Sequence, residues 1–187
     1  MKIRSIGARL LLLALLAACP IFAVPSEKGD RVCQLSSTLL QDSPRKSQLQ
    51  LGLKSSETEL TGDWYPPEED KWRWMGQSAG VHLGLPGDEQ ATLELEFILP
   101  PELLSAVGTV AITLSLDEQF LDELKYVEPG VYTYRGLLSG TQFKNPVTCL
   151  QISVGQTFRP PRDKRDLGVA VVRAGLISPE SVASATE

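Results

Sequence analysis

Apolar and polar residues alternate along much of the chain, which is the pattern of β-strands with one buried face. The clearest run places four residues on one face and ends at a Pro-Gly turn: Ala79, Val81, Leu83 and Leu85. Similar runs, separated by glycine and proline, occur at 49–53, 93–99, 110–114, 131–134, 150–154 and 169–173. We therefore predict an all-β fold, a single antiparallel β-sandwich of the jelly-roll type over residues 47–177.

Four segments depart from this alternation. Residues 62–69 contain a Pro-Pro pair, which cannot donate two ladder hydrogen bonds, so we predict a loop that lies at an edge or a connection. Residues 120–125 fit no single period, and residues 101–107 are compatible with one turn of helix. The small polar residues 178–187 predict a frayed tail.

The first 18 residues have the features of a secretory signal peptide. Lys2, Arg4 and Arg9 form a basic start, and an apolar run from residue 10 to residue 18 follows them. That run is shorter than the roughly 20 residues that a membrane-spanning helix needs. We therefore expect the chain to be exported.

Two cleavage sites fit this leader. The sequence Leu16-Ala17-Ala18-Cys19 resembles a bacterial lipobox, in which the cysteine is acylated and becomes the new N-terminus. The alternative is cleavage after Ala23, which gives a soluble periplasmic or secreted protein. In the first case residues 19–46 form a polar tether, and Cys19 carries a lipid that anchors the domain to a membrane.

Charge and cysteine content restrict the classes of partner. The formal net charge of −5 becomes −8 without the three cations of the leader, since 15 Lys and Arg then face 23 Asp and Glu. An acidic chain without a basic patch argues against nucleic acid as a partner. Beyond Cys19 the chain has two cysteines, Cys33 and Cys149, which form a candidate disulfide in an oxidising compartment.

The stretch from Gly62 to Gly76 concentrates large flat side chains. It holds all three tryptophans of the chain and one of its four tyrosines. Flat aromatic rings can stack on the C–H faces of sugars, while nearby polar groups bind the hydroxyls. The candidate ligand-binding residues of this stretch are Trp64, Tyr65, Glu68, Trp72, Arg73 and Trp74. In an alternative interpretation Trp72 and Trp74, which share one side of a strand, fill the end of the core.

A charged segment from residue 158 to residue 168 precedes the last predicted strand. We expect Asp163 or Asp166 to pair with Arg162 or Arg165 and so fix this loop, although an exposed pair stabilises little. The functional hypothesis is that Asp163 and Arg165 project into a groove beside the tryptophan stretch.

No residue pattern singles out catalytic chemistry. His82 is the only histidine, and the chain lacks a Gly-x-Ser-x-Gly nucleophile motif and the His and Cys clusters of a zinc site. We predict no catalytic residue, no metal site and no cofactor. A hydrolase that uses two carboxylates remains a distant alternative, because such a pair has no sequence signature.

Four motifs together resemble a known type of module: Trp-Tyr-Pro-Pro-Glu, Trp-Arg-Trp-Met-Gly, Pro-Gly-Val-Tyr-Thr-Tyr and Phe-Arg-Pro-Pro-Arg-Asp-Lys-Arg-Asp-Leu-Gly-Val-Ala-Val. Over about residues 60–177 the chain is similar to a bacterial exported β-sandwich module found beside glycosyltransferases and other surface-polysaccharide proteins. The closing Arg-Asp-Leu-Gly-Val-Ala-Val is the most specific part of the match. The resemblance implies a jelly-roll, carbohydrate-binding-like architecture without assigned catalysis.

These observations lead to one preferred function and one rival. We expect a non-catalytic lipoprotein of the cell envelope, facing the periplasm or outer membrane, that binds a glycan or polysaccharide. The rival is a structural or protein-interaction lipoprotein of the envelope in which the same aromatic residues only hold the fold. In both cases the membrane contact is the N-terminal lipid, and a protein partner is unknown.

Overall fold

The computed structural model describes residues 32–33, 45–87, 90–143 and 145–178. The predicted signal peptide, the candidate lipidation site Cys19, most of the predicted tether and nearly all of the predicted tail lie outside the described residues. No helix within the described part has the length and apolar character needed to cross a bilayer.

The described residues form nine strands and one short helix. The strands are β1 (Gln48–Gln50), β2 (Leu60–Glu68), β3 (Trp72–Gly84), β4 (Gln90–Leu99), β5 (Val110–Leu116), β6 (Gln119–Tyr126), β7 (Gly130–Ser139), β8 (Val147–Val154) and β9 (Ala170–Ile177). Helix α1 spans Pro101–Val107, and two 3₁₀ turns span Lys54–Glu59 and Gly140–Gln142.

All strand pairs are antiparallel, and they follow one another in the order β6-β5-β8-β3-β9-β4-β7. Strand β1 adds to β9, and β2 adds to β3. The sheet curls so that its limbs face each other as a β-sandwich. The prediction of an all-β antiparallel sandwich is therefore confirmed.

The core lies between these limbs and follows from the alternation in the sequence. Strand β4, for example, alternates buried and half-buried residues along nearly its whole length. A fully buried Leu, Ile or Phe contributes about 1.5–3 kcal/mol through the apolar surface that it removes from water. Residues of seven strands meet in one cluster, which includes Leu49, Met75, Phe97, Ile112, Leu138, Leu150 and Val171.

Two local predictions need correction. Residues 62–69 are not a loop, because most of them belong to β2, and the Pro-Pro pair fits there since β2 pairs only with β3 and its other edge needs no donor. The run 49–53 does not continue as one strand either. Strand β1 ends at Gln50, and Leu53 is 42% exposed before the 3₁₀ turn.

Two other segments are settled by the structure. Residues 120–125, which fitted no single period, lie in the edge strand β6. The helical turn expected at residues 101–107 is α1, whose first residues include a proline that fits the start of a helix.

Strand β3 changes partner along its length, and this change positions the candidate site. Its residues 78–84 pair with β8, whereas residues 73–74 pair with β9. The loop from residue 155 to residue 169 fills the gap between these pairings. Met75 donates a backbone hydrogen bond to the Val169 carbonyl, and the Gly168 N–H donates to the Met75 carbonyl. An opening is left where β3 leaves β8.

Candidate functional site

An open groove of about 550 Å³ lies where β3 parts from β8. Its walls come from β2, β3, the end of β8 and the loop that follows β8. The lining residues are Gly62, Asp63, Trp64, Tyr65, Gly76, Gln77, Ser78, Ser153, Val154, Thr157 and Asp166. Aromatic faces, hydroxyls, an amide and carboxylates thus share one surface.

A break in the β2–β3 register forms one wall of this groove. Between the pairs Gly62–Ala79 and Trp64–Met75, strand β2 has only Asp63, while β3 has the three residues from Gly76 to Ser78. The extra residues form a bulge in β3, and such bulges re-aim side chains next to binding sites. Gly62 has φ +81°, a conformation that favours glycine, and it makes the matching bend in β2.

Trp64 forms the apolar part of the wall, and contacts with β3 and the core hold it in place. Its indole N–H donates to the Gly80 carbonyl at 3.0 Å, and its ring packs against the core. The ring is only partly buried, so part of its surface faces the groove. Its position is therefore fixed before any ligand arrives.

Tyr65 stands next to Trp64 and joins β2 to the loop after β8. Its hydroxyl donates to the Asp166 carbonyl at 3.1 Å. The Arg165 guanidinium lies 5.4 Å from the centre of its ring, which is a cation–π distance. These two contacts set the distance between the two sides of the groove.

Arg165 holds a small polar cluster beside the groove. Its guanidinium donates to both oxygens of Asp163, at 2.8–3.1 Å, and to Glu68 Oε1 at 2.8 Å. The other oxygen of Glu68 accepts the indole N–H of Trp74 at 3.2 Å. The hydrogen bonds from Arg165 lower the pKa of Asp163 to about 2. This cluster ties the hairpin of β2 and β3 to the loop.

The hydrophilic side of the groove consists of short side chains. Ser78 Oγ and Ser153 Oγ lie 2.9 Å apart, and the Gln151 amide donates to Ser78 Oγ at 3.2 Å. Asp166 pairs with an arginine. Both of its carboxylate oxygens accept hydrogen bonds from Arg159, at 2.9 and 2.6 Å. The serine hydroxyls can exchange their mutual bond for bonds to a ligand.

The structure divides the predicted ligand-binding residues into three groups. Trp64 and Tyr65 line the groove. Glu68, Trp74, Asp163 and Arg165 form the adjoining cluster, so Asp163 and Arg165 do not project into the groove as the sequence suggested. Of the loop pairings considered, Arg165 with Asp163 is present, and Asp166 pairs with Arg159 instead.

Arg73 and Trp72 lie apart from the groove. Arg73 is 4% exposed, donates to the backbone carbonyls of Leu51 and Tyr65, and pairs with Glu57 at 3.5 Å, so its role is to hold the fold. Trp72 is half-buried, with the Lys71 ammonium 6.0 Å from its ring. Neither Trp72 nor Trp74 belongs to the core cluster, so the interpretation that places them in the core is wrong.

Sequence reasoning missed the hydrophilic half of the groove. Asp63, Gln77, Ser153, Thr157 and Asp166 come from three separate segments. Only the glycines on either side, Gly62 and Gly76, gave a signal, since glycine within a strand often marks a bulge.

The described part of the chain contains no group of three or more His, Cys, Asp or Glu side chains that could hold a metal ion.

Comparison with known proteins gave structural likeness only. No family model matches the sequence, and no curated protein matches it. A family 35 carbohydrate-binding module from Paenibacillus barcinonensis shares 10% identity, with 72% of this chain and 95% of that one covered and a TM-score of 0.35. A family 35 module from Clostridium thermocellum shares 7% identity over 71% and 88% of the two chains, with a TM-score of 0.37.

Larger enzymes match over one part of their length. A family GH115 4-O-methyl-alpha-glucuronidase with specificity for decorated arabinogalactans shares 13% identity over 73% of this chain, with a TM-score of 0.45. The chain spans only 18% of that enzyme, and 20% of a cycloisomaltooligosaccharide glucanotransferase from Paenibacillus.

Proposed function

We propose that the domain is a non-catalytic module that binds a glycan in the groove beside Trp64 and Tyr65. The observation that carries this proposal is the groove itself, which sets two positioned aromatic rings against serine hydroxyls, an amide and a carboxylate. Its volume of about 550 Å³ lies within the usual range for small-ligand sites, roughly 300–1,000 Å³.

The chemistry of a sugar fits both sides of this groove. One face of a pyranose ring carries C–H groups that pack on an aromatic surface, while its edge carries hydroxyls that both donate and accept hydrogen bonds. Trp64 supplies the flat surface. Ser78, Ser153 and Gln77 supply donors and acceptors within the same opening.

The carboxylates of the groove favour binding over hydrolysis. A glycoside hydrolase needs two carboxyl groups across the scissile bond, one of them as a proton donor. Both oxygens of Asp166 accept hydrogen bonds from Arg159, which suits a structural role. Asp63 then remains as the carboxylate that faces a ligand.

Binding to a panel of soluble and immobilised glycans tests this proposal. Gln77→Ala removes an exposed amide from the groove, and loss of one hydrogen bond is expected to weaken binding by about fivefold. Trp64→Phe keeps an apolar ring against the core but reduces the stacking surface, and it should weaken binding further. Trp72→Ala, outside the groove, is the matched aromatic control and should bind as the wild type does.

Two outcomes would contradict the proposal. One is that no glycan of the panel binds, which would favour the rival structural or protein-interaction role. The other is that Trp72→Ala lowers affinity while Gln77→Ala and Trp64→Phe do not. Chromatography of the bound glycan after long incubation checks the non-catalytic part, since shortened products would identify a hydrolase.

We also propose that the domain is exported and anchored through a lipid on Cys19. The leader and the Leu-Ala-Ala-Cys sequence support this, and so does the disulfide between Cys33 and Cys149, because such bonds persist in oxidising compartments. Labelling with a fatty-acid precursor should mark the wild type and not Cys19→Ala. Equal release of both proteins into the soluble fraction would instead support cleavage after Ala23.

A further inference from the structure

Asp63 is an acidic residue of the groove wall, and the break in the β2–β3 register fixes its position. It is the single β2 residue opposite the three-residue bulge of β3. Its side chain lies over Gly76, where an added Cβ would come within 2.9 Å of the Asp63 Cβ and 3.5 Å of its carboxylate carbon. The absence of a side chain at Gly76 therefore makes the room in which the Asp63 carboxylate lies.

No described residue pairs with this carboxylate. Within the described residues Asp63 makes no hydrogen bond and no ion pair, and it is exposed to solvent. The other acidic side chain of the groove, Asp166, is neutralised by Arg159. The uncompensated charge on the groove wall is therefore that of Asp63.

Among the residues that the structure describes, no cation lines the groove to balance this charge. Its described lining contains no Lys, Arg or His. The Arg165 guanidinium beside the groove is already paired, because it contacts both Asp163 and Glu68. The loop cations Arg162 and Lys164 are exposed and are not part of the lining. A positively charged ligand would therefore balance the negative charge of Asp63.

We propose that the groove prefers glycans that carry free amino groups, with the Asp63 carboxylate binding the sugar ammonium. This inference rests on the proposed glycan-binding function and names its substrate class. An ammonium group beside Asp63 gains a charge-assisted hydrogen bond, whereas an N-acetyl group at the same position offers only a neutral amide. A sugar carboxylate there would be repelled.

The test compares paired ligands that differ only in this group. Short oligomers of each backbone are presented in the free-amine and the N-acetylated form, at low salt and a mildly acidic pH. We expect the wild type to bind the free-amine form about fivefold more tightly, as one partly exposed ion pair contributes up to about 1 kcal/mol. The preference should shrink as salt is added, because ions screen exposed charges.

Two variants separate this site from the overall acidity of the chain. Asp63→Asn keeps the shape of the side chain, so it should fold normally and bind both forms with similar affinity. Glu102→Gln removes one exposed charge from α1, which does not line the groove, and should keep the wild-type preference.

Each outcome decides a different question. Equal binding of paired forms by the wild type overturns the amino-sugar inference and leaves glycan binding intact. An equal loss of preference in Glu102→Gln also overturns it, because the attraction would then be a general effect of net charge. Failure of every glycan to bind overturns both proposals.

Discussion

His82, the only histidine in the sequence, is buried in β3. It is 5% exposed, its Nδ1 lies 3.3 Å from the Glu59 carbonyl, and its Nε2 has no hydrogen-bond partner among the described residues. Burial lowers the pKa of His82, because the protonated ring would lose its hydration. Arg45, which forms an ion pair with Glu59, adds to this effect.

The lowered pKa of His82 predicts a loss of stability in mild acid. An unfolded histidine has a pKa of about 6.5, so the unfolded chain binds more protons than the folded chain below that pH. The stabilisation is complete above about pH 6.5 and decreases below it, by at most about 1.4 kcal/mol per pH unit. Urea unfolding of the wild type at several pH values between neutrality and about pH 5 should show this slope.

His82→Gln provides the comparison, since glutamine does not titrate. Its free energy of unfolding should change less over the same range, whatever its absolute stability. The titration of Asp163 does not interfere, because its pKa is lowered on folding and an unfolded aspartate, with a pKa of about 3.9, takes up protons mainly below about pH 5. Parallel slopes in the two proteins would contradict the prediction.

Single residues also show how far the sequence could predict the groove. Trp64 and Tyr65 could be selected because large rings are scarce and carry a recognisable chemistry. Asp63 and Asp166 could not, because the sequence contains 23 acidic residues and nothing local distinguishes these two. Their roles depend on a register break and on pairing across the chain, which only the assembled sheet defines.

The hairpin of β5 and β6 shows how one element is fastened to its neighbour. Its two turn residues, Asp117 and Glu118, both have positive φ, at 47° and 68°. The Asp117 carboxylate accepts a hydrogen bond from the Thr148 hydroxyl and one from the Cys149 N–H, each at 2.8 Å. Asp117 is therefore a link to β8.

This link predicts opposite effects of glycine at the two turn positions. Asp117→Gly relieves the backbone but leaves the fully buried Thr148 hydroxyl without its partner, so we expect a loss of about 2 kcal/mol. Glu118→Gly removes only an unfavourable backbone conformation, so stability should stay unchanged or rise by up to about 1 kcal/mol. Thermal and denaturant unfolding of both variants would measure this. Equal effects would show that the carboxylate bonds contribute nothing.

At the level of whole strands, periodicity predicted the elements that bury one face. Strands β4 and β5 and residues 150–154 of β8 alternate as expected, since their inward residues form the core. Strand β2 was missed because Gly62 and the Pro-Pro pair are typical of a connection. It persists as a strand because pairing with β3 on one side, and the two register shifts of that pairing, accommodate these residues.

The disulfide between Cys33 and Cys149 is the covalent link between the start of the domain and β8. The two Cα atoms are 5.7 Å apart, and 116 positions separate the residues in sequence. The bridge was predicted from an even pair of cysteines in an exported chain, and the structure contains it. Because it closes a long loop, it acts mainly by restricting the unfolded chain.

Removing this bridge should lower the free energy of unfolding by about 4–5 kcal/mol, the value that the chain-entropy model gives for a loop of this length. The double variant Cys33→Ser/Cys149→Ser is the appropriate protein, since a single substitution leaves a thiol that can form dimers. Its folded contacts remain, including the Cys149 N–H bond to Asp117, so its circular dichroism spectrum and glycan binding should match the wild type. Reductant should lower the unfolding midpoint of the wild type towards that of the double variant and leave the latter unchanged. If oxidised wild type and double variant unfold at the same midpoint, the bridge does not contribute to stability, and the sandwich core alone holds the domain together.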